Sequence, residues 1–327
     1  CFGSLGPTAD GRRKPDLMAV GCGSISADYL VTCGMVSGGG TSYATPAVSG
    51  IAMLVRQYFM NGFYPGGSAN APDAFTPSGA LMKSVLVNAT VDMTGIVGYP
   101  SNQEGWGRLL VGDALYFAGD ARKLIVHDVR SGSGLSTRQS TSYQVTVATN
   151  GQPLRITLVW TDAPAAPGAG FTPINNLDLV VTAPDAAVYK GNVFSAGQSA
   201  TGGSSDTLNN VEQVHRTSPV AGTYTIDVSG TQVLEPTQGY ALVVTGDLLA
   251  SDCAPVIPGD ASGDLLVNGT DAQPFVQELM TFSGTITTTQ QCASDIGSAG
   301  NPCLPDGLVN ELDIPGFVQL LLTGSCP

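Results

Sequence analysis

Six short stretches of alternating apolar and polar residues constrain the fold of this chain more than any other feature. Alternation with a period of two buries one face of a strand, and short strands joined by turns such as Asn150-Gly151 build antiparallel sheets. We therefore predict an antiparallel β-sandwich of the jelly-roll type over residues 120–250, without helices. The stretches are residues 124–126, 143–147, 154–158, 177–181, 224–228 and 240–244.

Residues 1–119 have a different sequence pattern, with glycine-rich loops around two segments of helical periodicity. Apolar residues at i, i+3 and i+4 spacing predict a helix from Ser42 to Phe59. Alanines and Met53 fill much of its remaining circumference, so we expect this helix to be buried on most sides. A second helix is predicted to begin near Ser78.

Residues 251–327 contain an internal repeat. The segment from Val267 to Leu279 recurs 42 residues later as the segment from Val309 to Leu321, with seven matched positions. A duplicated supersecondary unit explains such a match. The chain is therefore predicted to be multidomain.

Composition limits the classes of function. The net charge of −13 leaves no basic surface for nucleic acid, and no apolar run is long enough to span a membrane. Seven cysteines favour an oxidising compartment, with Cys22 near Cys33, Cys292 near Cys303, Cys253 and Cys326 around the last segment, and Cys1 left over. We expect a secreted or cell-surface protein that has lost its original start.

The most informative segment, residues 39–50, reads GGTSYATPAVSG. A glycine-rich loop here delivers Ser42 to the start of a helix, where unpaired N–H groups and the positive helix end favour an oxyanion. A serine or threonine that merely caps a helix is the alternative. The full string resembles the serine motif of the subtilisin-like peptidases. Residues 2–8 (FGSLGPT) and 10–16 (DGRRKPD) resemble the family's segment before the serine loop, and residues 103–107 (QEGWG) its closing element.

The resemblance implies a partial α/β subtilisin-like domain over residues 1–119, with Ser42 as the nucleophile that attacks a peptide carbonyl. Two residues depart from the motif, since Tyr43 replaces Met and Val20 replaces Pro. The family order is Asp, His and then Ser, yet no histidine precedes Ser42, and His127 and His215 are expected to be structural. The chain alone is therefore predicted to be inactive without the missing N-terminal half of the catalytic domain.

The middle segment resembles the P-domain-like β-sandwich that follows the catalytic domain in some subtilases. The resemblance implies that it packs on that domain and stabilises it. Asp178, Asp206, Asn209 and Glu212 offer oxygen ligands for calcium there, and ordinary turn-forming roles explain them nearly as well.

The last segment resembles a dockerin-type module, a small α-helical pair of calcium loops. Its first loop places ligands at positions 1, 3, 5, 7, 9 and 12, and Leu265 stands where glycine is usual. These ligands are Asp260, Ser262, Asp264, Leu266 (through its carbonyl), Asn268 and Asp271. The second loop keeps Asp306, Gly307, Asn310 and Asp313.

The first half of that second loop is altered, because Pro302 and Leu304 occupy ligand positions. Asp295 or Asn301 is a candidate substitute through a longer loop, and a calcium-free helical pair is the alternative. Structural calcium is the expected cofactor, and the resemblance implies a cohesin-like scaffold as a partner.

Two functions remain open from the sequence. The first is a secreted serine endopeptidase that hydrolyses protein or peptide substrates through an acyl-enzyme on Ser42. The second is a non-catalytic, surface-attached sandwich and dockerin module with a peptidase remnant.

Overall fold

The computed structural model of the chain describes residues 3–248, 259–262, 266–281, 294–296 and 309–323. Contacts divide the chain into two compact units, Cys1–Asp247 and Leu248–Pro327. The predicted boundary near residue 120 falls inside the first unit, so the serine-bearing segment and the following strands belong to one body.

Helices are few in the first unit. They are α1 (Thr41–Met60) and α2 (Gly79–Asn88), with short 3-10 turns at Ala71–Asp73, Val111–Asp113 and Ser131–Ser133. Both predicted helix starts are confirmed. The side chain of Ser78 caps α2 by accepting from the N–H of Leu81 at 3.0 Å, and its own hydroxyl donates to Asp128 at 2.5 Å.

Antiparallel strands make up most of the regular secondary structure of the first unit. In chain order they are β1 Ser24–Ala27, β2 Met35–Gly38, β3 Thr90–Val91, β4 Arg108–Leu109, β5 Lys123–Val129, β6 Ser140–Val147, β7 Leu154–Val159, β8 Asn176–Thr182, β9 Val188–Ser195, β10 Gln198–Thr201, β11 Val211–Arg216, β12 Gly222–Gln232 and β13 Tyr240–Gly246. β1 pairs with β2, and β3 with β4.

Two larger sheets contain the rest. The five-stranded sheet has the order β10-β9-β8-β12-β6 and the four-stranded sheet the order β11-β7-β13-β5. All six predicted stretches lie in these strands, and residues 120–248, all of them described, contain no α-helix. Antiparallel sheets are thus confirmed for this region, whereas the jelly-roll connectivity stays a prediction.

The four-stranded sheet is covered on both faces, as its central strand β13 demonstrates. Ala241 and Val243 are fully buried in the core that contains α2. On the opposite face, the hydroxyl of Tyr240 lies 2.6 Å from that of Tyr143 in β6. The order of layers is therefore α2, the four-stranded sheet and the five-stranded sheet.

Helix α1 is less covered than predicted. It buries Val55, Tyr58 and Phe59, but Met53 and Leu54 are 65% and 59% exposed. The expectation that α1 is buried on most sides is therefore wrong for this structure. The physical reason is that the described residues pack against one side of the helix only.

The described residues of the second unit include two helices that lie in the two copies of the repeat. They are α3 (Ala272–Thr281), preceded by a 3-10 turn at Gly269–Asp271, and α4 (Asp313–Thr323). The rings of Phe275 and Phe317 stack with centroids 3.9 Å apart and planes 4° from parallel. These two phenylalanines are matched positions of the repeat, so the sequence duplication has a counterpart in the core of this unit.

The cysteines depart from the expected pairing. Cys22 is disulfide-bonded, whereas Cys33 is free and exposed. A Cys22–Cys33 pair is therefore wrong, and Cys33 is an unpaired thiol. Cys1, Cys253, Cys292, Cys303 and Cys326 lie outside the described residues.

Candidate active site

The loop that carries Ser42 joins the end of β2 to the start of α1. Gly40 is the N-cap residue of α1 and has φ +126°, in the left-handed region that favours glycine. Its N–H donates to the carbonyl of Gly21 at 2.6 Å. A Cβ on Gly21 would lie 2.7 Å from the carbonyl oxygen of Gly40, so this close approach of the two backbones requires glycine at position 21.

Ser42 is the second residue of α1 and is exposed. No side chain caps the N-terminus of this helix, so neither Thr41 nor Ser42 has the capping role that was the alternative. Among the described residues, no hydrogen bond uses the hydroxyl or the N–H of Ser42. A helix start leaves such N–H groups unpaired and positively polarised, which is the environment that stabilises an oxyanion.

The two histidines lie among the strands of the sandwich. His127, in the middle of β5, stacks on Tyr143 with ring centroids 4.1 Å apart, and burial lowers its pKa to about 4. His215, in β11, is 5% exposed, and burial, reinforced by Arg155 and Arg216, lowers its pKa to about 3. Neither imidazole has a hydrogen bond to Ser42. A base for the serine is therefore absent from the described residues.

The predicted neighbouring motifs contact one another. The N–H of Trp106 donates to the carbonyl of Asp16 at 3.0 Å, and the N–H of Met18 donates to the carbonyl of Gly107 at 2.8 Å. Gly105, with φ +62°, leaves no room for a Cβ beside the carbonyl of Pro15. The KPD segment (residues 14–16) and the GWG segment (residues 105–107) therefore pack directly against each other.

These two packed segments are attached to the sandwich through Arg13. Its guanidinium lies over the ring of Trp106, 4.6 Å from the centroid, and the backbone N–H of Arg13 donates to the side-chain oxygen of Asn209 at 2.7 Å. Burial lowers the pKa of Arg13, with Asp206 opposing that shift. Nearby, Asp10 accepts from the hydroxyl of Thr172 at 2.5 Å.

The second attachment is Asn88, which sequence reasoning missed. Its side-chain amide is fully buried and donates to the hydroxyl of Thr157 at 3.0 Å. Its side-chain oxygen accepts from Thr245 at 2.8 Å. Nothing in the local sequence signals this role, because an asparagine at a helix end is an ordinary cap.

The carboxylates predicted as a calcium site in the sandwich have separate partners. Asp206 accepts from the N–H groups of Leu208 and Asn209, and Asp178 accepts from Thr231. Glu212 is 1% exposed and accepts from the N–H of Leu179 at 2.7 Å, and its other oxygen has no hydrogen-bond partner among the described residues. Burial raises the pKa of Glu212 well above its ordinary value.

The first predicted calcium loop brings several of its oxygens together. The carboxylate of Asp271 is fully buried and accepts from the N–H groups of Ser262 at 2.9 Å and Asn268 at 2.8 Å. The hydroxyl of Ser262 lies 3.4 Å from Asp260. Burial alone would raise the pKa of Asp271, but hydrogen bonds from Asn268 and Ser262 lower it. The side chain of Leu266 is exposed, and Asp264 lies outside the described residues.

The second loop repeats this pattern. Asp313 is fully buried and accepts from the N–H of Asn310 at 2.7 Å and from that of Ile296 at 2.6 Å. Asp295, next to Ile296, is also buried. Predicted ligand Asp306, together with Asn301, Pro302, Leu304 and Gly307, lies outside the described residues.

Hard oxygen donors of this kind fit calcium chemistry. Within the described ranges no group of three or more His, Cys, Asp or Glu side chains is arranged to hold a metal. The converging donors at Asp260 and Asp271 include a hydroxyl, which lies outside those residue types. Calcium at these loops therefore stays a prediction.

Comparisons with known proteins point to one family. Residues 1–107 match the subtilase family, Peptidase_S8. The serine protease/ABC transporter B family protein tagA of Dictyostelium discoideum is 30% identical over an alignment of 283 positions that covers 77% of this chain and 16% of that protein. The tagD protein of the same organism is 29% identical over an alignment of 338 positions that covers 83% of this chain and 18% of that protein. The chain thus spans less than a fifth of these curated relatives.

The solved structures that match this chain are only distantly similar to it. The complex of Aeromonas sobria serine protease (ASP) and the chaperone (ORF2) has 14% identity and a TM-score of 0.21, covering 65% of this chain and 45% of that chain. A TM-score this low does not indicate a shared fold. In the described part of the chain, no helix has both the length and the apolar character needed to cross a bilayer. The family match and the serine-protease relatives support a subtilisin-like serine peptidase, and the family likeness lies in the Ser42-bearing part of the chain.

Proposed function

We propose that this chain is the nucleophile-bearing part of a secreted subtilisin-like serine endopeptidase. Ser42 attacks the carbonyl of a peptide bond in a protein or peptide substrate and forms an acyl-enzyme. The N–H of Ser42, at the start of α1, donates to the oxyanion that develops. The observation that carries this proposal is an exposed serine at an uncapped helix start whose hydroxyl and N–H have no partner among the described residues.

The base that takes the serine proton comes from the upstream half of the catalytic domain. A serine hydroxyl is a weak nucleophile until a base accepts its proton, and an acid partner orients that base. Burial of His127 and His215 among the strands supports a base supplied from outside this chain. The chain alone is accordingly inactive.

The apolar side chains exposed around the serine-bearing segment support the same assignment. Tyr29, Leu30 and Met35 in the β1–β2 hairpin are 91%, 73% and 78% exposed, and Met53 and Leu54 of α1 are also uncovered. Contiguous exposed apolar surface marks a site of interaction. The upstream half of the catalytic domain is the partner that covers it.

The remaining parts serve stability and attachment. The sandwich packs on the serine-bearing segment and supports it through α2. The second unit acts as a dockerin-like module that binds structural calcium and attaches the enzyme to a cohesin-like scaffold. The repeated hydrogen-bond pattern around Asp271 and Asp313 supports this assignment.

The test is labelling by a fluorophosphonate probe. The chain alone is expected to give no labelling above that of Ser42→Ala. Addition of the upstream half is expected to give labelling that depends on Ser42. Strong labelling of Ser42 in the isolated chain would refute the need for an outside base. No labelling with the upstream half present would favour the non-catalytic sandwich and dockerin module.

A further inference from the structure

Tyr43, the residue after Ser42, lies against the backbone of Gly38 at the end of β2. A Cβ added to Gly38 would overlap the phenol oxygen and the ring of Tyr43. Both residues are half-buried. Gly38 and Tyr43 flank the loop of Gly39 and Gly40, so their contact joins the two ends of the segment that presents Ser42.

Positions 38 and 40 are glycines for different reasons. Gly40 has open space where a Cβ would stand, and it needs glycine for its φ of +126°. Gly38 is not among the residues with positive φ, and it pairs with Ser24 of β1 in regular antiparallel register. Backbone conformation therefore does not require glycine at position 38. The reason for the missing side chain is the space that Tyr43 occupies.

The contact is one of shape and not of hydrogen bonding. Among the described residues the hydroxyl of Tyr43 has no hydrogen-bond partner. The N–H of Tyr43 donates to the carbonyl of Gly40 at 3.0 Å and so belongs to the first turn of α1. The ring of Tyr43 is held against β2, and its backbone is held in the first turn of α1. The preceding residue, Ser42, therefore has little freedom to shift.

We infer that Tyr43 and Gly38 form a steric lock that sets the position of Ser42 at the start of α1. Tyr43 is thus a positioning residue. The lock itself is a feature of the loop, and its catalytic consequence rests on the proposed function of Ser42.

A double-mutant cycle in the full chain tests the lock without any activity. The variants are Gly38→Ala, Tyr43→Met and the double variant, measured by hydrogen exchange of the amides of residues 39–46. Gly38→Ala displaces the Tyr43 ring from its rotamer, and we expect exchange to rise about fivefold. The smaller and more flexible Met vacates the space, so the double variant should return to the level of Tyr43→Met alone. Gly66→Ala, outside every helix and strand and where a Cβ meets nothing, is the matched control and should leave exchange of residues 39–46 unchanged.

Unchanged exchange in Gly38→Ala, or a double variant no better than Gly38→Ala, overturns the lock. The second arm adds the upstream half and measures the maximal labelling rate by a fluorophosphonate at saturating probe. Gly38→Ala should lower this rate with little change in Tm, and the double variant should restore it. Absence of labelling in every version would refute the proposed function, while the exchange cycle would still decide the lock.

Discussion

The side-chain amide of Asn88, the last residue of α2, donates to the hydroxyl of Thr157 in the centre of the four-stranded sheet at 3.0 Å. The same side chain accepts from Thr245 of β13 at 2.8 Å, and the backbone carbonyl of Asn88 accepts from Arg155 at 3.0 Å. One residue thus connects a helix of the serine-bearing segment to two strands of the sandwich.

Replacement of Asn88 should destabilise the whole first unit. Asn88→Ala leaves the buried hydroxyls of Thr157 and Thr245 short of a partner, and we expect the free energy of unfolding to fall by about 3 kcal/mol. Urea denaturation followed by tryptophan fluorescence measures this. The control is Asn70→Ala, because Asn70 is exposed and, among the residues that the structure describes, its side chain bonds only to Asp73. Equal stabilities of the two variants would contradict a connecting role for Asn88.

Gly105 should not tolerate a side chain. Its φ of +62° is strained for alanine, and a Cβ would overlap the carbonyl of Pro15. We expect Gly105→Ala to lower the free energy of unfolding by about 3 kcal/mol. Gly112→Ala is the matched control, because a Cβ there meets nothing. A melting temperature for Gly105→Ala within a degree of the control would show that the KPD and GWG segments can separate.

His215 should make the first unit sensitive to mild acid. The pKa of His215 is lowered to about 3 in the folded state, chiefly by burial, from 6.5. The stability that the neutral imidazole contributes is therefore fully present above pH 6.5 and is lost as pH falls towards 3. Between pH 6.5 and pH 5 the loss should be about 2 kcal/mol.

The measurement compares this pH dependence between the parent chain and His215→Gln. Tyr99, Arg155 and Arg216 face the imidazole and are unchanged in the variant. Glu212, whose raised pKa contributes with the opposite sign, cancels in the comparison. Parallel stability curves in the two proteins would mean that His215 takes up its proton without unfolding.

Calcium should stabilise the second unit. In scanning calorimetry of the full chain, EGTA is expected to lower the melting temperature of one transition and calcium to restore it. Asp260→Asn keeps the shape of a buried side chain but removes its charge, so it should abolish most of the calcium-dependent shift. The control is Asp185→Asn, an exposed turn residue of the first unit. Superimposable scans with calcium and with EGTA would remove the metal assignment.

Periodic segments were predictable from sequence, because their signal is local. The start of α1 follows from a glycine-rich loop before small residues, and the strands around Leu158 and Val243 follow from alternation. Strand β9 was missed because Gly191 and Asn192 interrupt its pattern. The carboxylate of Glu212 occupies the space of a side chain at Gly191, and Asn192 has φ +64°. Both causes lie in tertiary structure.

The candidate site was predictable to a similar extent. Ser42 at a helix start follows from one contiguous string, whereas the exposure of Met53 depends on which partners cover α1. The pairing of cysteines was wrong at Cys33, because proximity in sequence does not determine which sulfurs meet. The hydrogen bond from Ile296 to Asp313 could not be predicted from the sequence either, because the second loop departs from the repeat.

The double covering of the four-stranded sheet limits how this protein can be rearranged in evolution. A sandwich transferred alone to another enzyme would expose Ala241 and Val243, which are fully buried beneath α2. Recombination that preserves solubility should therefore cut near residue 247 and move the strands together with the helix that covers them. Gene fusions and natural shuffling are expected to inherit the sandwich together with α2 and the serine-bearing segment, with the second unit free to be exchanged.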